Sequence, residues 1–286
     1  MIVHFSIWEP SAKFGGGRVV LNNRKCLEMI GDVVNLYPSD GSILYRILML
    51  YIYVLKAEYT VVVESTRIYF PFLKNVVYVE HNDEVDYLRI NSNSYFKLFL
   101  AFVSKRFFKR ERVISLFSTS KLTDNILPGI YLIETKKTNK VENKTSKYDL
   151  GILCSLDVRF NMDSIRDYVE NHWCSECSLL VSGRRPSEDF KDYLVNKGVT
   201  VEENIDDVAF FYSKVDRVLV WDLYGVGLKT RIFEAMYYHK AIELSPNLLK
   251  AYEGILSRND LIGMGSDYLE NNVERYKEIW RNLIKS

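Results

Sequence analysis

The stretch Val220-Trp-Asp-Leu-Tyr-Gly-Val-Gly-Leu-Lys-Thr-Arg-Ile-Phe-Glu-Ala-Met236 decides how the rest of the chain is read. An apolar run from Arg217 to Trp221 predicts a strand, Gly225 and Gly227 predict a loop, and a helical pattern opens near Leu228. A helix N-terminus presents free N–H groups and a partial positive charge, which suit an anion such as a phosphate. Lys229 and Arg231 add two cations there. Glu234, one turn further on, carries a carboxylate suited to sugar hydroxyls. The same letters also describe an ordinary strand–loop–helix connection with a solvated basic face, because one glycine loop is not specific.

Working outward, the pattern repeats. Ile2–Ser6, Val33–Tyr37, Tyr59–Val63, Val76–Glu80, Val113–Phe117 and Ile130–Ile133 read as strands of a first half. Helices are expected over Arg18–Ile30 and Ile43–Leu55, the second capped by Ser39 or Asp40. Ile43–Leu55 is too short to cross a bilayer and is interrupted by Arg46, so it reads as a buried helix ending near Lys56. A polar, charged run over Glu134–Lys147 reads as a linker. The alternation then restarts. Strands are expected at Leu150–Cys154, Leu179–Ser182, Val199–Glu202, Arg217–Trp221 and Ala241–Leu244, and helices at Asp163–Trp173, Ser187–Lys197 and Ile205–Ser213. Ser266–Ile284 is one amphipathic helix, with Tyr268, Val273, Tyr276, Ile279, Trp280 and Leu283 on its apolar face. Its periodicity suits packing on its own domain or on the first.

The expected fold class is therefore α/β. Residues 1–134 form one Rossmann-like domain, 135–147 a linker, 148–265 a second such domain and 266–286 a terminal helix. In such folds ligands bind outside the carboxyl ends of the strands, so two domains are expected to face a cleft. Three glycine-bearing turns would line it: Gly15–Gly17, Gly183 with Arg184 and Arg185, and Gly225–Gly227.

Composition narrows the function classes. The 286 residues are 48% hydrophobic and 26% charged, which is globular, and the formal net charge of +1 gives no overall field that would draw in nucleic acid. Cys26 and Cys154 sit in apolar patterns and read as buried thiols. Cys174-Ser-Glu-Cys177 is a single CxxC with only His172 nearby, an incomplete set for zinc or redox work. Met1-Ile-Val-His-Phe-Ser lacks the basic and apolar regions of a secretory signal, so a cytoplasmic location is expected.

From Tyr148 to Pro246 the chain resembles the nucleotide-binding half of a GT-B glycosyltransferase, of the large retaining family (group 1, family 4 type) that builds bacterial surface polysaccharides. Gly151–Asp157, Phe160–Ile165, Leu179–Gly183 and Gly227–Met236 followed by Lys240-Ala-Ile-Glu-Leu carry the resemblance. In the first half, Gly15–Gly17, Val79-Glu-His-Asn-Asp-Glu84 and Phe117-Ser-Thr-Ser120 match more loosely. The resemblance implies a GT-B architecture whose C-terminal helix crosses back to the first domain. It implies transfer of a sugar from a UDP- or GDP-linked donor to a glycan or lipid-linked acceptor, with no cofactor and no metal. Donor-binding positions would be Gly16, Gly17, Ser155, Asn161, Gly183, Arg184, Gly227, Lys229, Arg231 and Glu234, with His81 and Glu234 at the reaction centre. His81 equally reads as a satisfied histidine at a strand end. The family often carries a second glutamate at the position of Val226. Its loss reopens the stereochemistry, and an inverting enzyme would draw its base from Glu9, Asp83 or Glu84.

The run Ser94–Arg112 is aromatic and then basic, with Lys105, Arg106, Lys109, Arg110 and Arg112 around Phe107 and Phe108. It suits a peripheral contact with an anionic membrane surface, or a core-facing stripe with a solvated basic end. A nucleotide-sugar epimerase or phosphorylase on the same fold, and a non-catalytic nucleotide-sugar-binding scaffold, remain as alternative functions.

Overall fold

The computed structural model describes residues 1–11, 15–64, 76–81, 94–96, 99, 113–116, 126–130, 132, 147–205, 207–224, 229–253, 255–262 and 266–285. The chain divides into two compact units. One comprises Met1–Leu132, Val226–Thr230 and Glu270–Ser286, the other Ile133–Gly225 and Arg231–Leu269.

The first unit carries β1 (Ile2–Ser6), α1 (Gly15–Ile30), β2 (Val33–Leu36), α2 (Ile43–Val54), β3 (Thr60–Glu64), β4 (Val76–Glu80) and β5 (Val113–Ser115). These strands form one sheet in the order β2-β1-β3-β4-β5, every pair parallel. Both faces of a parallel sheet are covered, so its strands are apolar throughout rather than alternating. Val3, Phe5, Val61 and Val63 point to one core, and Ile2, Val62, Val77 and Val79 to another.

The second unit repeats the plan. It holds β6 (Tyr148–Ser155), α3 (Arg159–Asn171), β7 (Leu179–Arg184), α4 (Glu188–Asn196), β8 (Thr200–Glu203), α5 (Val208–Lys214), β9 (Val215–Val220), α6 (Thr230–Tyr237), β10 (Ala241–Leu244), α7 (Pro246–Ala251) and α8 (Arg258–Leu261). The sheet order is β10-β9-β6-β7-β8, again all parallel. Local chemistry sets the ends. Ser187 caps α4 by accepting from Phe190 N, Asp207 caps α5 by accepting from Ala209 N, and Gly198 takes the left-handed φ of 87° that ends the turn after α4.

The last helix, α9 (Ser266–Lys285), returns to the first unit from Glu270 onward. Tyr276, Trp280 and Leu283 are buried with Ile2, Cys26, Leu27 and Ile114, and Val273 and Ile279 pack beside them. Tyr268, before the crossing, stacks on Phe233 of the second unit.

Five expectations need correction. Ile130 and Leu132 are not in a strand. Asn22 of α1 takes the place of a ladder partner, donating to Ile130 O at 3.1 Å and accepting from Leu132 N at 3.2 Å. Gly15–Gly17 is the first turn of α1, not a loop before it. Gly183 lies within β7, not in a turn. Finally, α2 is not a buried helix: it buries Arg46, Leu50 and Val54, half-buries Ile47, Met49 and Tyr53 against the core, and exposes Ile43, Leu44, Tyr45, Leu48, Tyr51 and Ile52. A helix that is apolar all round gives no periodicity from which to choose its buried face. Ser42, rather than Ser39 or Asp40, caps it.

Candidate functional site

In the first unit the sheet order turns at β1 and β3, the topological switch point where ligands of open α/β sheets bind. The paired residues at its carboxyl edge are Ser6 and Glu64. Glu64 is fully buried and is the centre of a hydrogen-bond network. Its Oε1 accepts from His4 Nε2 at 2.8 Å and from Asn23 Nδ2 at 2.6 Å, and its Oε2 accepts from His81 Nε2 at 2.5 Å.

Burial alone would raise the Glu64 pKa. The hydrogen bonds from His4 and His81 outweigh that penalty and hold it at about 2, so the group is a carboxylate and only accepts. Both histidines therefore donate from Nε2. Burial pushes the Tyr37 phenol up, so it keeps its proton, and its hydroxyl is hydrogen-bonded to His4 Nδ1 at 2.6 Å. Tyr276 of α9 donates in turn to Asn23 Oδ1. His4, Asn23, Tyr37, Glu64, His81 and Tyr276 thus partner one another, as buried polar groups require.

His81 stands at the end of β4, its ring 5.1 Å from that of Trp8. Trp8 also covers the start of α1, where a Cβ on Gly16 would meet its ring at 3.6 Å. Two features predicted separately, His81 and the glycines of α1, thus meet at the carboxyl edge of the first sheet through Trp8, which the sequence did not single out. The hydrogen bond from Nε2 to the Glu64 carboxylate orients the ring and leaves Nδ1 as its other nitrogen. Glu9 holds Ser39 through its backbone N–H and hydroxyl, at 3.0 and 2.9 Å. Asp83, Glu84 and the basic run Lys105–Arg112 lie outside the described residues.

In the second unit, Ser155 and Arg184 are ladder partners at the carboxyl ends of β6 and β7. Asn161 is committed to this edge, donating to Ser155 O at 2.8 Å. Arg231, at the start of α6, lies close enough to the end of β6 for its charge to bear on Cys154, whose thiol is pushed up by burial and drawn back by that cation. Lys229 immediately precedes α6, Glu234 is buried within the helix, and Gly227 lies outside the described residues. Gly183 has a packing reason to be glycine, since a Cβ there would lie 1.9 Å from Cys154 O of the neighbouring strand. Asp222, just after β9, is buried and accepts from Tyr224 N at 2.8 Å, shaping the turn that follows. Cys174 and Cys177 are free thiols, and among the described residues no group of His, Cys, Asp and Glu is arranged to hold a metal ion.

His4, Asn23, Tyr37 and Glu64 were not singled out in the sequence, and Tyr276 was read only as part of an apolar helix face. Only His4, inside an apolar strand, and Glu64, at the end of one, carried any signal: polar groups in runs that the fold buries.

No family model matches the chain, and neither does any curated protein. Among solved structures it is similar to Anabaena HepE, crystallised with UDP and glucose, at 13% identity and a TM-score of 0.54, covering 99% of each chain. It is also similar to a glycosyltransferase from Rickettsia africae, at 12% identity and a TM-score of 0.52, covering 99% of this chain and 93% of that one. Against TarM it covers 80% of its own length and 55% of that chain, with a TM-score of 0.48. The full-length likeness to the first two shows the fold, which is that of the GT-B glycosyltransferases, with two Rossmann-like α/β units.

Proposed function

We propose that the protein is a glycosyltransferase that takes its sugar from a UDP- or GDP-linked donor and passes it to a glycan or lipid-linked acceptor in cell-surface polysaccharide assembly. The observation that carries this reading is His81 held by the buried Glu64 carboxylate at the switch point of the first sheet. The likeness to HepE, whose crystals contain UDP and glucose, supports the choice of donor.

On this reading Lys229, Arg231 and the N-terminus of α6 meet the diphosphate, and Glu234 takes the ribose hydroxyls. Glycosyl transfer places growing negative charge on the departing nucleoside diphosphate. Fixed cations and N–H groups stabilise that charge most in the transition state, without calling on a metal. Ser155, Asn161, Arg184 and Gly227 extend the donor surface on the second unit.

His81 works at the transferred sugar. Retention, as the sequence resemblance implies, would use it to hold a sugar hydroxyl. The carboxylate-held ring suits a second reading, in which Nδ1 takes the proton from the acceptor hydroxyl and configuration inverts. The protein would work in the cytoplasm, at the inner face of the membrane, with the basic run Lys105–Arg112 drawn to anionic lipid.

Assays of nucleotide release from UDP-, GDP- and CMP-sugars, with a thermal-shift screen against the free nucleotides, test the reading. His81→Ala and Glu234→Ala should each lower turnover by at least about a hundredfold in protein that circular dichroism shows to be folded. The anomer formed, read by NMR, chooses between retention and inversion. Epimer formation from donor alone would replace the transferase by an epimerase. Nucleotide-sugar binding without turnover would leave a scaffold.

A further inference from the structure

We infer that Cys174 and Cys177 form a site of reversible oxidation, closing to a disulfide within one turn of the second unit by exchange with a low-molecular-weight disulfide such as oxidised glutathione. This does not rest on the glycosyltransferase reading.

In the sequence Cys174-Ser-Glu-Cys177 is only a spacing. The fold makes that spacing a closed turn. Cys177 N donates to Cys174 O at 3.0 Å, the hydrogen bond that closes the chain on itself between α3 and β7. A turn of this kind holds its first and fourth Cα atoms within about 7 Å. A disulfide spans Cα atoms about 4.4–6.8 Å apart, so the backbone of the turn suits the bridge as it stands.

The turn is pinned on both sides. Before it, the N–H groups of His172 and Trp173 both donate to Tyr168 O, at 2.9 and 2.8 Å, and Trp173 Nε1 donates to Cys177 O at 3.0 Å. After it, Ser178 donates to Asp149 Oδ2 through its N–H and its hydroxyl, each at 2.7 Å. Trp173 and Cys177 also pack against the core of the second unit. The pinned turn keeps the two cysteines together in the reduced protein, so an adduct formed on one has the other beside it. The turn precedes the amino end of β7, whereas Ser155 and Arg184 stand at the carboxyl edge of the sheet. Oxidation therefore leaves the candidate ligand edge in place.

Access divides the work. Cys174 is exposed and Cys177 half-buried, with Ser175 and Glu176 exposed between them. Cys26 and Cys154 are buried, and burial pushes both of their thiols up, Cys26 to about 12, so neither competes as a thiolate. The Cys174 thiolate attacks one sulfur of oxidised glutathione, whose S–S bond breaks as one glutathione leaves as its thiolate. The Cys177 thiolate then attacks the Cys174 sulfur of the mixed disulfide and expels the second glutathione. The two protons given up by the cysteines pass through water to the departing thiolates. The cysteine pair is oxidised, and one glutathione disulfide is reduced to two thiols.

The test is incubation of the folded full chain with oxidised glutathione, trapping of free thiols with N-ethylmaleimide under denaturing conditions, digestion with trypsin and mass spectrometry. One tryptic peptide, residues 167–184, carries both cysteines. It should appear unlabelled and two hydrogens lighter, and dithiothreitol before trapping should return it to the doubly labelled form. Cys26 and Cys154 should take up no glutathione. Cys177→Ser should stop at the glutathione adduct on Cys174, and Cys174→Ser should form its adduct at least about tenfold more slowly than that. The oxidised protein should melt no lower than the reduced one. Two free thiols in the wild-type peptide, a lasting glutathione adduct in place of the internal disulfide, a disulfide between two chains, or a fall in melting temperature on oxidation would each overturn the proposal.

Discussion

Three donors converge on the Glu64 carboxylate, and Glu64→Gln puts an NH₂ group where at least one of them must find an acceptor. A buried donor left facing a donor costs about 1–3 kcal/mol, and urea unfolding at neutral pH should show a loss of that size. The pH dependence has a definite sign. Glu64 titrates near 2 in the fold against 4.5 for the free side chain, so its contribution is complete above pH 4.5 and disappears as pH falls toward 2. The stability gap between wild type and Glu64→Gln should therefore close as pH drops from 5 to about 2.5, and a constant gap would contradict the network. His81 was legible in the sequence as a histidine at a strand end. Its partner was not, because Glu64 lies 17 residues from His81, 41 from Asn23 and 60 from His4, separations that only the sheet order brings together.

At the scale of elements, two glycines that look alike in the sequence differ in cause. Gly183 sits on β7 opposite Cys154, and a Cβ would meet the Cys154 carbonyl at 1.9 Å and Leu156 Cγ at 2.7 Å. Neither strand can give way without disturbing the ladder, so Gly183→Ala should cost about 3 kcal/mol or more in thermal or urea unfolding. Gly16, in the first turn of α1, has only an ordinary contact with Trp8. Gly16→Ala should be neutral, or stabilising by up to about 1 kcal/mol, through the lost freedom of the unfolded chain. A drop in turnover in that variant, with stability intact, would then report the close approach of a ligand. The same contrast explains which elements could be read in advance. Apolar runs bounded by polar residues located the strands, since burial on both faces writes itself into each residue. Ile130–Ile133 has the same apolar letters, yet it is met by the Asn22 side chain rather than by another strand, and nothing local distinguishes the two fates.

Across the whole molecule, the repeated alternation of strand and helix announced two α/β halves, but the destination of the last helix had to come from packing. The first unit is completed only by residues from the far end of the chain. Trp280 is fully buried among Ile2, Val19, Cys26 and Leu27, and Asn272 donates to Gly129 O at 3.2 Å. The second unit has its own core, with Ile152, Val181, Phe190 and Leu219 in one cluster. Trp280→Ala should therefore cost about 3–5 kcal/mol, the range for a large buried aromatic, and the loss should fall on the first unit. Limited proteolysis reads this directly. Cleavage should accelerate within Met1–Leu132, while the segment from Tyr148 to Leu269 persists as a protected fragment. Equal acceleration in both segments would mean that the two units unfold as one cooperative block, and that α9 stabilises the chain as a whole rather than closing one core.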